Sequence, residues 1–449
     1  MNPVHQICII GGGFCGTMVA AGLRRAGFAG RIAIVEKEDA RVGRGVAYSP
    51  PNSKLLLNVP ARNMGAWADN PGDFLTWLNA RGESPAPGAY LSRRLYGEYL
   101  RSVLHECETK SGNSVDRINA EAVSARREHG QWFVTLSDGT TIHAKSIVIA
   151  IGNLRPGPPS AFARFQKASW WRGNPWAPDA HARCRDAERV LVIGSGLTMI
   201  DVCLSLASGG ARPRITALSR HGLLPCIHDA ADIAAATPPP IGCTLRDAFR
   251  HVRSEARRLL RETGNWRPAI DCLRAHTPAL WSSFSQEDQA LFLRHLRTYW
   301  DVHRHRVPAE VVGRIVELRQ ARVLKLVGAR VANVNDLGHA ASVTWCDRST
   351  GSCITSQFDR VINCTGARTN IEASSLLGSM AASGHLRAEH NGLGVLTDTA
   401  GRAINASGSA DDSLLILGPL RRGTLWESSA VPELRVQAAD AVLHIMNAV

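Results

Sequence analysis

Cysteine is present but never in a useful spacing: none of the 11 cysteines forms a Cys-x-x-Cys pair, and none stands with histidine at a structural-zinc interval. Neither a disulfide framework nor a metal site is therefore expected, and electron transfer through a redox-active cysteine pair is excluded in its usual form. Long apolar runs are lacking too. The first begins within a few residues of Met1, has no basic leader and is broken at Gly11, Gly12 and Gly13. It fits neither a signal peptide nor a membrane-spanning helix, so a cytoplasmic protein with no membrane partner is expected. Acidic residues are outnumbered, 39 against 52 basic ones, for a formal charge of +13. The basic residues are nearly all arginine, spread without a run of five and without a DNA- or RNA-binding motif. That pattern reads as a solvated surface with some arginines serving anionic cofactors, and no nucleic-acid partner is expected.

What remains is a chain of 449 residues, 45% apolar, with material for two or three domains of about 150 residues each. Residues 1–155 alternate strand and helix patterns and end in SIVIAIGNLRPGPP, a β-branched strand meeting Gly152 and a proline-rich exit. Residues 156–330 form a second unit built around RVLVIGSGLTMIDV, with a mainly helical insertion at about 244–306. From 331 to 449 strands dominate again, in VTWCD, FDRVINCTG and SLLILGPL, before a last helix; this block reads as a return to the first unit. Within the insertion, Thr244 with Asp247 and Ser285 with Asp288 are capping pairs. Leu245, Phe249, Val252, Ala256 and Leu259 form one apolar stripe opposite arginines. A lid over a site and a plain packing or oligomer contact both fit such an excursion.

Two short stretches carry the chemistry. The first is Gly11-x-Gly13-x-x-Gly16, preceded by the strand QICII and followed by an apolar helix that begins with Phe14 and Cys15 in the turn. Glycines serve a tight turn, a close backbone approach to a pyrophosphate and close helix–strand packing, and the helix start offers free N–H groups to phosphate. Glu36 ends the next strand, where a carboxylate accepts from ribose hydroxyls. An adenine dinucleotide is expected there. The second stretch is Gly194-Ser195-Gly196, with Thr198 following and Met199 where the third glycine would stand. After its second strand come Ser219, Arg220 and His221 in place of the acid. Exchange of acid for serine and arginine favours a ribose 2'-phosphate, hence NADPH over NADH. The fold class expected is α/β, with two Rossmann-like dinucleotide-binding domains and a helical insertion. If the first turn holds FAD, the second delivers hydride to it. VIAIGN, with Gly152, and VINCTGAR, with Gly366, are the expected crossings between the units.

The order of these parts resembles the two-dinucleotide-binding-domain flavoproteins, which include flavin monooxygenases and pyridine-nucleotide-dependent disulfide reductases. IIGGGFCGTMVA, GRGVAYS, LLLNVPARNMGAWADNPGDFLTWL, SRRLYGEYL, VLVIGSGLTMIDV, LRHLRTYWDVHRHRVP and GPLRRGTLWESSAVPELRVQA resemble more closely a bacterial FAD/NAD(P)-binding family. Some members of that family are called FAD-dependent urate hydroxylases. The resemblance implies that Gly11, Gly13, Gly16 and Glu36 bind FAD, with Arg44 and Asn58 nearer the ring system. It implies that Gly194, Ser195, Gly196 and Thr198 bind the nicotinamide cofactor. Gly418 and the segment Thr424, Leu425, Trp426 and Glu427 would approach the isoalloxazine. One departure stands out: such flavoproteins often end the last strand in Gly-Asp, the aspartate holding the ribityl chain, whereas here Pro419 follows Gly418.

With no dithiol, molecular oxygen is the expected electron acceptor, and a single-component monooxygenase acting on a small, nitrogen-containing substrate through a C4a-hydroperoxyflavin is the expected activity. Such chemistry asks for a dry pocket with a few fixed donors. Asn58 is the candidate catalytic donor, and equally an asparagine shaping the turn before Pro60. YWDVHRHRVP offers Asp301, His303, Arg304, His305 and Arg306, either for an anionic substrate or as a helix-end ion-pair network. His303 and His305, two apart, cannot act together on one helix face. A flavin reductase or oxidase that releases peroxide, and a non-catalytic nucleotide-binding protein, remain open alternatives. Substrate identity and oligomeric state are not legible.

Overall fold

Strands that are apolar on both faces, alternating with apolar helices, build two sheets in the computed structural model, which describes residues 4–448 except 51, 53, 178, 179, 182, 183, 185, 186, 209–212, 229–235 and 349. The first sheet has eight strands. It contains β1 (His5–Ile10), β2 (Ile32–Glu36), β3 (Asp116–Asn119), β4 (Ala122–Glu128), β5 (Gln131–Leu136) and β6 (Thr141–Ile149), and is completed from the C-terminal part of the chain. The second has seven: β7 (Trp171–Arg172), β8 (Arg189–Ile193), β9 (Arg214–Ser219), β10 (Leu324–Asp336), β11 (Ala341–Asp347), β12 (Cys353–Phe358) and β13 (Arg360–Asn363). β14 (Arg402–Ile404) and β15 (Ala410–Ile416) then rejoin the first sheet beside β6.

The two sheets repeat one plan. β1 lies between β2 and β6, all parallel, and β8 lies between β9 and β13, all parallel. In each, the chain steps outward on one side of the first strand and returns on the other, which opens a crevice at that strand's C-terminal end. The cores follow from burial on both faces: Ile7, Cys8, Ile9 and Ile10 of β1 and Val190, Leu191, Val192 and Ile193 of β8 are all buried. Helix Phe14–Arg25 covers the first sheet beneath the C-terminal helix Val431–Asn447. A β-carbon at Gly22 would stand 2.7 Å from Val442, so a glycine permits this close helix approach.

The expected boundary at 331 is corrected. β10 runs unbroken through that residue, and β11, β12 and β13 stay in the second sheet, so the chain returns to the first only after Asn363. The cause is a change of partner inside one strand. Leu324–Gly328 pair with β9 in parallel, Ala329–Asp336 pair with β11 antiparallel, and the register shifts between Val331 and Asn333. The expectation of no disulfide is also corrected, since Cys346 and Cys353 face each other across β11 and β12 and are bonded. The other nine cysteines are free.

Two devices join the units. The crossings themselves pair, Leu154 bridging Arg368 in antiparallel fashion. In addition Arg93, from helix Arg93–Ser111, meets Asp201, from helix Leu197–Ala207, at 2.8 Å with both side chains largely buried. Burial holds the Asp201 carboxyl above its ordinary range despite the guanidinium beside it. Arg93→Met, which strands that carboxylate, should cost about 3–5 kcal/mol at neutral pH. The deficit should shrink as pH falls and the unpaired Asp201 takes up a proton. Urea unfolding at two pH values checks this, and equal stability at neutral pH would contradict it.

Candidate functional site

At the end of β1 the backbone turns through Gly11 with φ 105°, a conformation that excludes ordinary side chains. A β-carbon on Gly11 would lie 2.4 Å from the Ala150 carbonyl oxygen, at the exit of β6, and one on Gly16 would lie 1.9 Å from the Gly11 carbonyl oxygen. Helix Phe14–Arg25 then starts with Gly13 as N-cap, with no capping side chain and no acid in its first turn. Its free N–H groups and positive dipole end are left for an anion. Glu36, at the end of β2, accepts from the Gly12 N–H at 2.9 Å. Gly43 donates its N–H to Gly12 O at 2.9 Å, and a β-carbon at Gly13 would meet Gly45 at 3.6 Å. The segment carrying Arg44 therefore closes over the turn. Arg44 is half-buried against Gly97, and burial with neighbouring Arg101 lowers its pKa.

The second turn reproduces this geometry. Gly194 has φ 114°, and a β-carbon there would stand 2.4 Å from the Cys364 carbonyl oxygen, at the exit of β13 that leads to Gly366. Helix Leu197–Ala207 starts at Gly196, again uncapped and without an acid in its first turn. The contrast within the chain is informative, because helices Leu245–Thr263 and Gln286–Leu291 are capped by Thr244 and Ser285 and carry acids in their first turns. The two helices at the crevices instead follow glycine turns, with neither a side-chain cap nor an acid in the first turn. Ser195 Oγ lies 2.8 Å from Ser219 Oγ, which also accepts the Gly222 N–H at 2.9 Å. Arg220 is exposed, and Arg348 from the β11–β12 hairpin reaches its carbonyl at 3.4 Å. Burial and these two guanidiniums hold the His221 imidazole below its ordinary pKa. Arg348 was invisible to sequence reasoning, since only the hairpin brings it there. Met199 is fully buried beside Cys203, so the wider residue is absorbed by the core.

The return segment meets the first turn. A β-carbon at Gly418 would lie 3.5 Å from Cys15 Sγ, and burial pushes that thiol up to about 12. Gln437, buried on the C-terminal helix, accepts the Gly418 N–H at 2.9 Å. Its carboxamide fixes the strand exit that lacks the usual aspartate. Thr424 bonds to Thr397, and the chain reverses at Trp426 with φ 54°, a strained value for a non-glycine residue.

The helical insertion docks on this same segment. Trp281 stacks on Trp426 with ring centroids 4.8 Å apart, and its Nε1 donates to Gly423 O at 2.6 Å. Phe292 closes edge-on at 5.0 Å. Arg304 and Glu427 form a buried ion pair at 2.7 Å, and Arg274 and Glu433 a half-buried one at 2.6 Å. The YWDVHRHRVP stretch therefore forms ion pairs at a helix end: Arg304 to Glu427, and Arg306 to Asp271 at 3.0 Å. His303 turns to Trp266 instead, and His305 to Asp301. Asn58 lies against His228, which precedes the insertion in the chain. Its carbonyl accepts from His228 Nε2 at 2.9 Å, and its half-buried carboxamide has no hydrogen-bond partner among the described residues. Among those residues there is no cluster of metal-ligating side chains and no helix long and apolar enough to cross a membrane.

Comparison with known proteins sharpens the geometry. A family described as FAD-NAD(P)-binding matches residues 8–154, and one described as L-lysine 6-monooxygenase/L-ornithine 5-monooxygenase matches residues 85–255. L-lysine 6-monooxygenase from Pseudomonas syringae superposes with a TM-score of 0.68, at 16% identity, over 99% of this chain and 100% of that one. The chain shares the fold of these flavin-dependent hydroxylases, and the two matches are consistent with the two-dinucleotide-binding-domain flavoproteins. An ornithine N-hydroxylase from Kutzneria sp. 744 gives 0.66 at 16% identity, over 99% and 100% of the two chains. Thioredoxin reductase from T. acidophilum gives 0.52 at 13%, over 99% and 98%. A curated relative, the tRNA uridine 5-carboxymethylaminomethyl modification enzyme of Deinococcus radiodurans, is 29% identical over 162 residues. That match spans 34% of this chain and 26% of the relative. Residues 8–154 thus form an FAD/NAD(P)-binding domain, and the two glycine turns have the geometry for two dinucleotides.

The docking of the insertion is open to test. Trp281→Ala should destabilise the chain by about 3–5 kcal/mol and raise amide exchange in residues 277–296 and 422–427. Unchanged protection in both segments would contradict the packing described.

Proposed function

We propose that the chain is an FAD-dependent, NADPH-consuming monooxygenase that hydroxylates a small nitrogen-containing substrate. The observation that carries the reading is the pair of uncapped glycine turns, one followed by Glu36 and the other by Ser219 and Arg220. In this reading Gly11, Gly13, Phe14, Cys15, Gly16, Glu36, Arg44, Gly152 and Gly418 hold FAD, with Thr424, Leu425, Trp426 and Glu427 towards its ring system. Gly194, Ser195, Gly196, Thr198, Ser219, Arg220 and Gly366 hold NADPH. FAD held by these residues would supply the redox chemistry, as acceptor of hydride from a nicotinamide and donor of electrons to oxygen.

The protein's own contributions are positional and electrostatic. The two helix starts stabilise the pyrophosphates, and the Glu36 carboxylate accepts from the adenosine ribose. The unpartnered Asn58 carboxamide can donate to a developing negative charge. Trp281, Phe292 and Trp426 form an apolar wall that keeps water from the ring end. The disulfide lies on the β11–β12 hairpin, beside the Ser219–Gly222 turn through Arg348 rather than at the first glycine turn, which supports oxygen over a dithiol as acceptor. The nitrogen-containing substrate follows from the family matched at 85–255 and from the lysine and ornithine hydroxylases of like fold.

Purified protein should be yellow, should be bleached anaerobically by NADPH, and with its substrate should consume NADPH and oxygen in step with hydroxylated product. Peroxide released stoichiometrically with every substrate would replace this reading by that of an oxidase. Arg220→Ala should raise KM for NADPH about tenfold, near 1.4 kcal/mol, and leave that for NADH within about twofold. Equal changes for both coenzymes would contradict the assignment of the second turn to the phosphorylated one.

A further inference from the structure

Strand pairing brings the tip of one hairpin to the edge of the second glycine turn. Ser219, at the end of β9, pairs with Gly328 of β10, and the next residue, Ala329, pairs with Asp347 of β11. The change of partner inside β10 therefore sets the start of the 347–352 turn beside the residue that ends β9. The turn after Ser219 is pressed onto the same strand, since a β-carbon at Gly222 would stand 3.1 Å from Gly328. From the hairpin tip, Arg348 Nη1 donates to the Arg220 carbonyl at 3.4 Å. The end of this strand is where the ribose 2'-phosphate lies in a dinucleotide-binding unit.

Positive charge collects there without an acid to offset it. Arg220, His221 and Arg348 are neighbours, and both guanidiniums act on the imidazole. Neither guanidinium is paired with a carboxylate among the described residues. The Ser219 hydroxyl, 2.8 Å from that of Ser195, adjoins them. A phosphate offers three acceptor oxygens, more than one guanidinium satisfies, and two arginines with a serine hydroxyl match that demand.

The same tip is closed by a covalent bond. Cys346 and Cys353 are the last pair of the β11–β12 ladder, and their disulfide ties off the loop that carries Arg348. β12 is the edge strand of its sheet and Cys353 is exposed, so the bond is open to a reductant. The other nine cysteines are free, which makes this the bond on which a reductant acts. Within the loop, the Asp347 carbonyl accepts the Gly351 N–H at 2.9 Å and its carboxylate accepts the Thr350 N–H at 3.1 Å. These bonds keep part of the turn's shape, so loss of the disulfide loosens Arg348 rather than freeing it.

We propose that Arg348 is a second ligand of the coenzyme 2'-phosphate and that the Cys346–Cys353 bond holds it in place, so that preference for NADPH depends on the redox state of the hairpin. A dithiol reductant supplies two electrons and two protons: the S–S bond breaks, Cys346 and Cys353 become thiols, and the dithiol closes to its own disulfide. This inference rests on the assignment of the second turn to NADPH and adds a ligand and a regulation to it.

The test uses the FAD-loaded full-length protein, with NADP+ and NAD+ as probes that differ only in the 2'-phosphate. Affinities are read by calorimetric titration for the natural chain before and after dithiothreitol, and for Arg348→Gln, Arg348→Lys and Arg220→Ala. The oxidised natural chain should prefer NADP+ by about tenfold or more. Arg348→Gln should lose about tenfold on NADP+ and under about twofold on NAD+, and Arg348→Lys should recover part of the loss. Reduction of the natural chain should weaken NADP+ by about threefold or more and leave NAD+ unchanged. It should have no effect on Arg348→Gln, because the bond acts through that side chain. The NAD+ affinity of each form accounts for any general loss of folding. Unchanged NADP+ affinity in Arg348→Gln, an equal loss on both coenzymes, no effect of reduction on the natural chain, or an effect that persists in Arg348→Gln would each overturn the inference. A loss in Arg220→Ala without one in Arg348→Gln removes the inference and leaves the NADPH assignment standing. No preference for NADP+ in the natural chain removes both.

Discussion

Both halves of this molecule depend on one steric constraint: a backbone that must pass within 2.4 Å, measured from a would-be β-carbon, of the carbonyl leaving the neighbouring strand. Gly11 over Ala150 and Gly194 over Cys364 meet the same demand in the same left-handed conformation. A side chain at either place would push the turn off its sheet. The helix start would then move from the crevice, and its free N–H groups would no longer point at a common centre. The strand exits that those glycines touch are also the two crossings between the units. Phosphate binding and inter-unit geometry therefore share the same few backbone atoms.

The insertion adds what the two sheets lack. Neither sheet alone supplies an apolar wall at the end of the Gly418 segment, and the Trp281–Trp426 stack provides it from a helix inserted between β9 and β10. Its docking is anchored by ion pairs whose partners lie far apart in sequence, Arg304 with Glu427 and Arg274 with Glu433. The buried pair, Arg304 with Glu427, specifies geometry more than it stabilises, because desolvation offsets much of its attraction.

The paired sheets were legible in the sequence because glycine spacing, buried strands and helix starts are local signals. The capping pairs Thr244–Asp247 and Ser285–Asp288 were legible for the same reason, and both cap their helices. The unit boundary at 331 was not, since β10 changes partner without any break in its β pattern. Cys346 and Cys353 read as unpaired because their facing positions depend on the hairpin register, not on their spacing. Gln437 supports Gly418, and Arg348 approaches Arg220, through tertiary contacts alone. Asn58 carries no signal that separates a turn-former from a donor, and its surroundings come from His228, 170 residues away.

The central claim is that the two glycine turns hold different dinucleotides at once. Equilibrium titration of the FAD-loaded protein with NADP+ tests it most directly, with flavin absorbance and bound nicotinamide followed together. One FAD per chain, one NADP+ per chain, and no flavin released as the second ligand saturates is the predicted result. Displacement of FAD by NADP+, or saturation with FAD alone and no second site, would contradict it.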